Sequence, residues 1–235
     1  MPVDEKIEDL ITLVSALEPK LVAQKMALLI IDMQKYQVRK EGASYKVLSL
    51  QVPGVLDYYM DQVKSVVEPN LSELISICRE KGIKIIFTKY CSFLEDGSDL
   101  TPRNRLQNDL AKNIADDVPY PPVSHSLAEL IPSLKPQPED FIIVKNTSGA
   151  FMSTRLDSIL RNMGIDTLLI TGVVTHFCVL STAREATDLG FEVIIVEDCC
   201  AGWTEQLHEV ALKTFALVYG TTMKLKKLKK KLENV

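Results

Sequence analysis

Residues 26–32 read MALLIID, the first strongly apolar run of the chain. Six consecutive apolar residues predict a short strand that is buried on both faces, as the central strands of a parallel sheet are. The run ends at Asp32, so a carboxylate lies where the predicted strand passes into a loop. This stretch therefore indicates a parallel sheet and marks one of its edges with a polar side chain.

Strand-length apolar runs recur along the chain and alternate with amphipathic segments of helix length. The further apolar runs lie at residues 83–88, 141–144, 167–171 and 191–196. The amphipathic segments lie at residues 71–80, 156–163, 179–189 and 205–218, and three of them are followed by Gly82, Gly164 and Gly190. Strands that alternate with helices are the pattern of βαβ units. We therefore predict an α/β fold with a doubly wound, mostly parallel sheet and helices on both faces, a three-layer arrangement of Rossmann type.

No internal repeat or low-complexity linker divides the chain, so we predict one domain over residues 1–235. Residues 1–24 are expected to form an amphipathic N-terminal helix outside the sheet. Residues 91–138 are polar and contain seven prolines, and this long excursion should cover one end of the sheet. Residues 224–235 are rich in lysine and are expected to be the end of a strand or helix with a solvated basic tail. Contact of this tail with an anionic surface is the alternative.

The composition excludes several classes of protein. A formal net charge of −4 gives no attraction to nucleic acid or to an anionic membrane. The longest apolar runs are too short to span a bilayer, and the N-terminus lacks the basic and apolar regions of a signal peptide. The five cysteines are odd in number and show no CxxC spacing, which favours free thiols in a reducing compartment. We therefore expect a cytoplasmic protein without nucleic-acid or membrane partners.

Three reactive side chains fall at the ends of predicted strands. Asp32 and Lys145 each close an apolar run, and Cys178 follows a third run in the first turn of a predicted helix. Because ligands bind outside the carboxyl ends of parallel strands, these side chains should meet at one edge of the sheet. A helix N-terminus and a nearby ammonium group both lower the pKa of a thiol, so we expect Cys178 to be held as a thiolate.

This trio predicts nucleophilic attack on a carbonyl carbon. Cys178 would attack, Asp32 would take and return a proton, and the backbone N–H groups of Val174 and Cys178 would bind the oxyanion. Each residue alone has an ordinary explanation: an aspartate that caps a helix, a solvated lysine, a packed cysteine. By position we also place five side chains in the pocket: Gln34, Tyr36, Phe151, His176 and Phe177. For the aromatic side chains the alternative is packing in the core, and for His176 it is a structural hydrogen bond.

Four segments resemble a known family. They are residues 28–34 (LLIIDMQ), residues 145–156 (KNTSGAFMSTRL), residues 172–179 (GVVTHFCV) and residues 197–201 (EDCCA). In this order they resemble the motifs of the isochorismatase-like cysteine hydrolases, in the branch that contains amidohydrolases. The resemblance implies a parallel sheet flanked by helices, a dimer or tetramer, no cofactor, and an Asp–Lys–Cys triad at Asp32, Lys145 and Cys178. It also implies a non-proline cis peptide between Val173 and Val174, and a substrate that is a small amide or ureido compound.

Departures from subfamilies narrow the expected reaction. Isochorismatases proper, which cleave a vinyl ether, typically have glycine where this chain has Cys178, so the cysteine favours an amide. Nicotinamidases of the family bind a metal through histidines after the second strand, and residues 88–94 (TKYCSFL) contain none. We therefore predict no metal and regard a nicotinamidase-like amidase as less favoured. A vinyl-ether hydrolase and a non-catalytic binding module on the same fold are two further hypotheses, and His125 and His208 are expected at the surface.

Overall fold

The computed structural model describes residues 3–14 and 18–235, and within this part of the chain six strands form one parallel sheet. The strands are β1 (Met26–Ile31), β2 (Lys84–Tyr90), β3 (Phe141–Lys145), β4 (Thr167–Val173), β5 (Glu192–Ala201) and β6 (Thr221–Met223). Their order across the sheet is β3-β2-β1-β4-β5-β6, and every pairing is parallel. The predicted α/β fold is confirmed.

Helices surround the sheet. They are α1 (Val3–Val14), α2 (Lys35–Val38), α3 (Ala43–Gln51), α4 (Asp57–Gln62), α5 (Glu68–Glu80), α6 (Pro102–Ala115), α7 (Leu156–Asn162), α8 (Leu180–Asp188), α9 (Glu205–Val218) and α10 (Leu225–Leu232). A π-helical turn at Val63–Val67 joins α4 to α5, and a second one at Thr175–Val179 precedes α8. Short 3-10 turns lie at Ala23–Lys25, Ser126–Ala128 and Pro132–Leu134. None of the helices in the described ranges is long and apolar enough to cross a bilayer.

The first strand is buried on both faces because the sheet has a hydrophobic core on each side. Met26, Leu28 and Ile30 pack in one core with α4, α5 and α10. The alternate residues of the strand pack in the other core with α7, α8 and α9. Side chains of a strand alternate between faces, so only an unbroken apolar run satisfies both cores.

Two segments are more ordered than the sequence pattern alone suggests. The excursion at residues 91–138 contains α6, a fourteen-residue helix capped by Thr101, whose hydroxyl accepts a hydrogen bond from the backbone N–H of Asn104. The lysine-rich C-terminal segment forms α10, which buries Leu225, Leu228 and Leu232 while its lysines lie outside. Part of the predicted N-terminal helix is α1, and residues 1–2 and 15–17 lie outside the described residues.

The carboxyl ends of β1 and β4 form the switch point of the sheet. The chain adds strands outward in one direction from β1 and in the other from β4, so the loops after these strands diverge and leave a crevice. At this point Gly172 has a φ of +97°, and a Cβ there would overlap the backbone oxygen and nitrogen of Ile31. The close approach of the two strands therefore requires glycine.

Candidate active site

The structure places Asp32, Lys145 and Cys178 at the carboxyl edge of the sheet. Asp32 is the residue that leaves β1, with a φ of +50° that few residues other than glycine adopt. Lys145 is the last residue of β3, and Cys178 lies in the π-helical turn after β4. All three side chains are buried, with at most 1% of their surface exposed.

The three side chains meet in one cluster, which we call the triad. Lys145 Nζ lies 2.7 Å from Asp32 Oδ2, and neither side chain has any exposed surface. The thiol of Cys178 lies close enough to the Asp32 carboxylate and the Lys145 ammonium group for both to shift its pKa. A carboxylate, an ammonium group and a thiol therefore lie together in a buried environment.

Neighbouring residues hold the two charged members in place. The Thr88 hydroxyl donates a hydrogen bond of 2.6 Å to Asp32 Oδ1, and the backbone N–H of Asp32 donates to the same hydroxyl oxygen. Lys145 Nζ donates to the carbonyl oxygens of Thr147 and Ser148, each at 3.0 Å. It also lies 4.1 Å from the centre of the Tyr90 ring, a cation–π contact with the strand that lies between β3 and β1.

The expectation that Cys178 rests as a thiolate is not met. Burial raises the pKa of the Cys178 thiol well above its ordinary value; the Lys145 ammonium group lowers it and the Asp32 carboxylate raises it, and the net shift is upward. Burial lowers the pKa of Lys145, but attraction to Asp32 and Cys178 raises it, and the net shift is again upward. Burial therefore favours the neutral form of the thiol beside the Lys145–Asp32 ion pair.

The loop between β4 and the triad cysteine has a cis peptide bond, which joins Val173 to Val174 at the position that the resemblance implies. The Thr175 hydroxyl follows it and forms a 2.8 Å hydrogen bond with Nδ1 of His208. His208 is partly buried beneath this loop, and burial lowers its pKa. His208, which was expected at the surface, is only partly exposed, because the first turn of α9 packs against the loop.

A cavity of about 630 Å³ opens beside the triad. The lining combines aromatic rings with amides, hydroxyls and one guanidinium group: Tyr36, Gln37, Ser44, Leu56, Tyr59, Tyr90, Thr101, Arg103, Asn104, Gln107, Pro119, Tyr120, Thr147, Ser148, Met152, Val174, His176, Phe177 and Trp203. Several of these residues are direct neighbours of the triad in sequence or in space. The volume suits a small molecule.

Three of the five predicted pocket residues line this cavity, namely Tyr36, His176 and Phe177. His176 contacts Trp203 edge to face, with ring centres 5.6 Å apart, and its Nδ1 has no hydrogen-bond partner among the described residues.

Gln34 and Phe151 do not line the cavity. The Gln34 side chain is fully buried, where its amide donates to the Ala128 carbonyl at 2.8 Å and accepts from the Tyr90 N–H at 2.6 Å. Phe151 packs on Phe191 in the core, with ring centres 5.8 Å apart. Both predicted placements were therefore wrong, because the Gln34 amide is hydrogen-bonded inside the protein and the Phe151 ring is packed in the core.

Residues that the sequence reasoning missed come from distant segments. Thr88 and Tyr90 lie at the carboxyl end of β2. Ligands bind at this end of a parallel strand, but the position alone does not indicate what either residue does. Tyr59 and Arg103 come from α4 and from the first turn of α6, and no local motif points to either.

No group of three or more His, Cys, Asp or Glu side chains in the described part of the chain is arranged to hold a metal ion. At the end of β2, where metal-binding relatives are expected to supply histidines, Cys91 accepts a hydrogen bond from the Gln34 amide. The nearby Asp99 carboxylate accepts from the Ser92 hydroxyl, from the Phe93 N–H and from the Asn146 amide. The polar groups at this position are therefore already engaged in hydrogen bonds within the protein.

Comparison with known proteins identifies relatives over most of the chain. The isochorismatase domain model matches residues 26–227. Nicotinamidase 3 of Arabidopsis thaliana is 28% identical over 201 residues, which are 85% of this chain and 96% of that protein. The ureidoacrylate amidohydrolase RutB of Acinetobacter baylyi is 27% identical over 216 residues, 86% of this chain and 81% of that protein.

A solved structure has the same fold. The cysteine hydrolase from Pseudomonas syringae pv. phaseolicola superposes with a TM-score of 0.73 at 22% sequence identity, covering 92% of this chain and 96% of that chain. The match of the domain model and the shared fold confirm the resemblance that the sequence motifs indicated.

Proposed function

The chain belongs to the isochorismatase family of hydrolases, and from this premise we propose that it cleaves the C–N bond of a small amide or ureido compound through a thioester on Cys178. The observation that carries the proposal is the buried contact of Cys178 with Asp32 and Lys145 beside a cavity of small-molecule size. The amide specificity is supported by the presence of a thiol, which forms an acyl intermediate that a glycine at this position does not.

The proposed first half-reaction begins from the neutral thiol. Asp32 accepts the thiol proton as the sulfur attacks the carbonyl carbon, and the backbone N–H groups of Val174 and Cys178 stabilise the oxyanion. When the tetrahedral species collapses, the C–N bond breaks and Asp32 returns the proton to the leaving nitrogen. The products of this half are ammonia or an amine and a thioester.

The second half-reaction uses the same groups with water. Asp32 accepts a proton from the water that attacks the thioester carbonyl, and the C–S bond breaks. Asp32 returns this proton to the departing sulfur, which restores the thiol, and the carboxylic or carbamic acid leaves, so the site ends in its starting protonation state. Lys145 keeps its charge throughout, because its pKa is raised, and it stabilises the sulfur while that atom is anionic.

The experiment is a turnover screen of the wild-type protein against nicotinamide, ureidoacrylate, carbamoyl amino acids and biuret. We expect at least one to be hydrolysed, and Cys178→Ala to lose about 10³-fold or more in kcat. Cys199→Ala is the matched control, because it removes a buried thiol outside the site and should retain activity. Undiminished turnover by Cys178→Ala would contradict the proposal, and if that variant also cleaved isochorismate, a vinyl-ether hydrolase would take its place.

A trapped intermediate provides a second readout. A stoichiometric mass increase on Cys178 during turnover, absent from Cys178→Ala, would identify the thioester. A protein that binds these amides without turnover and without acylation would instead be a binding module.

We also propose that the protein acts in the cytoplasm as a homo-oligomer. Its five cysteines are free and buried, which suits a reducing compartment. Leu106 and Leu110 lie one turn apart on α6 and are each more than half exposed, an apolar surface that a second copy of the chain would cover. Sedimentation of the purified protein tests this, and a monomer at micromolar concentration would contradict it.

A further inference from the structure

Two groups of the cavity lining lack a hydrogen-bond partner among the described residues, Nδ1 of His176 and the hydroxyl of Tyr59, and Tyr59 is the more deeply buried residue. Tyr59 lines the cavity with 1% of its surface exposed, and its hydroxyl has no hydrogen-bond partner among the described residues. Buried hydroxyls nearly always have a partner, since an unpaired one has lost its hydrogen bonds to water without replacement. A group of this kind beside a cavity is accounted for if a ligand supplies the missing partner.

Tyr36 shows that the unpaired state is not general among the buried tyrosines of the cavity. Tyr36 lines the same cavity and is equally buried, but its hydroxyl donates to the Tyr90 carbonyl at 2.8 Å and accepts from the Gln37 amide. Burial raises the pKa of the Tyr59 hydroxyl far above its ordinary value, and Cys178 and Asp32 raise it further. The hydroxyl therefore stays protonated and is available as a hydrogen-bond donor in a residue that lines the cavity.

A second lining residue, Arg103, indicates that the cavity favours a negatively charged ligand. Arg103 is the only Lys, Arg, Asp or Glu among the described residues that line it. It makes no ion pair with a described carboxylate, and it is exposed, so it stands at the entrance. The charge of its guanidinium group lowers the pKa of the hydroxyl of Tyr120, another lining residue, against the larger upward effect of burial.

The helix that carries Arg103 adds to this positive end. α6 begins at the cavity, where Thr101, Arg103, Asn104 and Gln107 all line the wall. The dipole of a helix favours negative charge at its N-terminus, although in α6 Pro102 has no N–H and Thr101 caps the N–H of Asn104. Among the described residues, no lining carboxylate opposes this field.

From these two groups we infer that the substrate is an amide or ureide that carries a carboxylate, which Arg103 binds at the entrance, while the Tyr59 hydroxyl donates a hydrogen bond near the reacting carbonyl. The inference rests on the proposed hydrolase function and deepens it. It assigns specificity to Arg103, because a guanidinium group pairs with a carboxylate through two parallel hydrogen bonds. A neutral amide of the same length would leave that group unused.

The test measures binding separately from chemistry, using the Cys178→Ala variant and calorimetry. The probes are succinamate and butyramide, which share a primary amide and a chain of the same length but differ in a terminal carboxylate against a methyl group. We expect succinamate to bind at least about tenfold more tightly, and Arg103→Gln in the same background to remove this difference. Arg105→Gln is the matched control, because Arg105 lies on α6 and donates to the Ser98 carbonyl but does not line the cavity.

Two outcomes would overturn the role of Arg103. One is equal binding, or no measurable binding, of the two probes; the other is a preference for succinamate that Arg103→Gln leaves intact. Because the variant performs no chemistry, these outcomes are distinct from failure of the proposed function, which the turnover screen tests. In the wild-type protein the parallel measurement is kcat/KM for 3-ureidopropionate against propylurea, whose ratio should fall in Arg103→Gln through KM.

The Tyr59 hydroxyl is tested by Tyr59→Phe in the same assay. We expect affinity for both probes to fall by the same factor, about three- to tenfold, with no loss of melting temperature, because the hydroxyl has no partner among the described residues of the folded protein. Tyr36→Phe is the contrast, and should lower the melting temperature since it removes two hydrogen bonds. Unchanged probe binding by Tyr59→Phe would remove this residue from the proposed site.

Discussion

Cys178 and Cys199 are both buried thiols, and burial raises the pKa of each. They differ in what surrounds them. At Cys178 an ammonium group opposes the effect of burial and a carboxylate lies within reach of the thiol proton. At Cys199 the neighbouring groups, including Cys200 and Asp198, raise the pKa further.

Neither burial nor a raised pKa therefore distinguishes the proposed nucleophile from the other thiol. Cys199 lies within β5, where its side chain packs in a hydrophobic core. Cys178 lies past the end of β4, where loops from three strands supply polar groups and a cavity. In the proposed mechanism a thiol becomes reactive through a neighbouring base, so the position of Cys178 beyond a strand end matters more than its resting protonation state.

Removing the base should give the largest effect. We expect Asp32→Asn to lower kcat by about 10²- to 10⁴-fold, because the neutral thiol then has no group to accept its proton. The same change leaves the buried Lys145 charge unpaired and should lower the free energy of unfolding by about 3–5 kcal/mol. Steady-state kinetics and denaturant unfolding measure the two effects.

The double variant Asp32→Asn with Lys145→Met separates stability from activity. It removes both charges, so much of the lost stability should return while activity stays absent. If activity returned together with stability, Asp32 would be a structural partner of Lys145 and not the base.

Alkylation by iodoacetamide sharpens the contrast between the two thiols. At neutral pH we expect Cys178 to be modified at least about tenfold faster than Cys199, because it adjoins the cavity and a base accepts its proton. Asp32→Asn should slow modification of Cys178 and leave Cys199 unchanged. Peptide mass spectrometry after timed exposure gives both rates, and equal rates would mean that the environment of Cys178 confers no reactivity.

The smallest expected effect is a loss of stability in alkali. Burial raises the pKa of Cys91 to about 11 and of Cys78 to about 12, from 9.0. Between pH 9 and these values the unfolded chain loses thiol protons that the folded chain keeps, so stability is complete below pH 9 and falls as pH rises. Each such thiol contributes a slope of about 1.4 kcal/mol per pH unit.

The control for this pH dependence is Cys78→Ala. The substitution lowers stability at every pH by leaving a cavity, but it removes one ionising group and should make the alkaline decline less steep. Melting temperatures of both proteins between pH 7 and 11 give the comparison. A decline of the same steepness in both would show that Cys78 ionises normally in the folded state.

Much of the fold was predictable because the residues that face each hydrophobic core must be apolar, which leaves a periodic pattern in the sequence of each strand and helix. The run at residues 26–31 is apolar throughout since β1 has a core on both faces, and Glu205–Val218 was predicted with its observed bounds from one apolar face. The ends of β2 and β4 extend beyond their predicted limits to Tyr90 and Val173. The added residues are strand residues because they pair with neighbouring strands, and the apolar runs in the sequence do not show this pairing.

The candidate site was predictable only in part. Strand ends and motifs pointed to Asp32, Lys145 and Cys178, and the structure brings them together. The same reasoning placed Gln34 and Phe151 in the pocket, whereas internal partners hold both away from it. Tyr59 and Arg103 were missed because they reach the cavity from helices that are remote in sequence from the triad.

Hydrophobic periodicity and residue chemistry at fixed positions were enough to predict the alternation of strands and helices, the all-apolar central strand and the three reactive residues at strand ends. The upward shift of the Cys178 pKa came from the folded molecule, because it depends on burial by segments that the sequence does not place. The tertiary structure also decided which side chains line the cavity, and left Tyr59 without a partner among the described residues. Contacts between distant segments set both properties, and a linear pattern does not contain them.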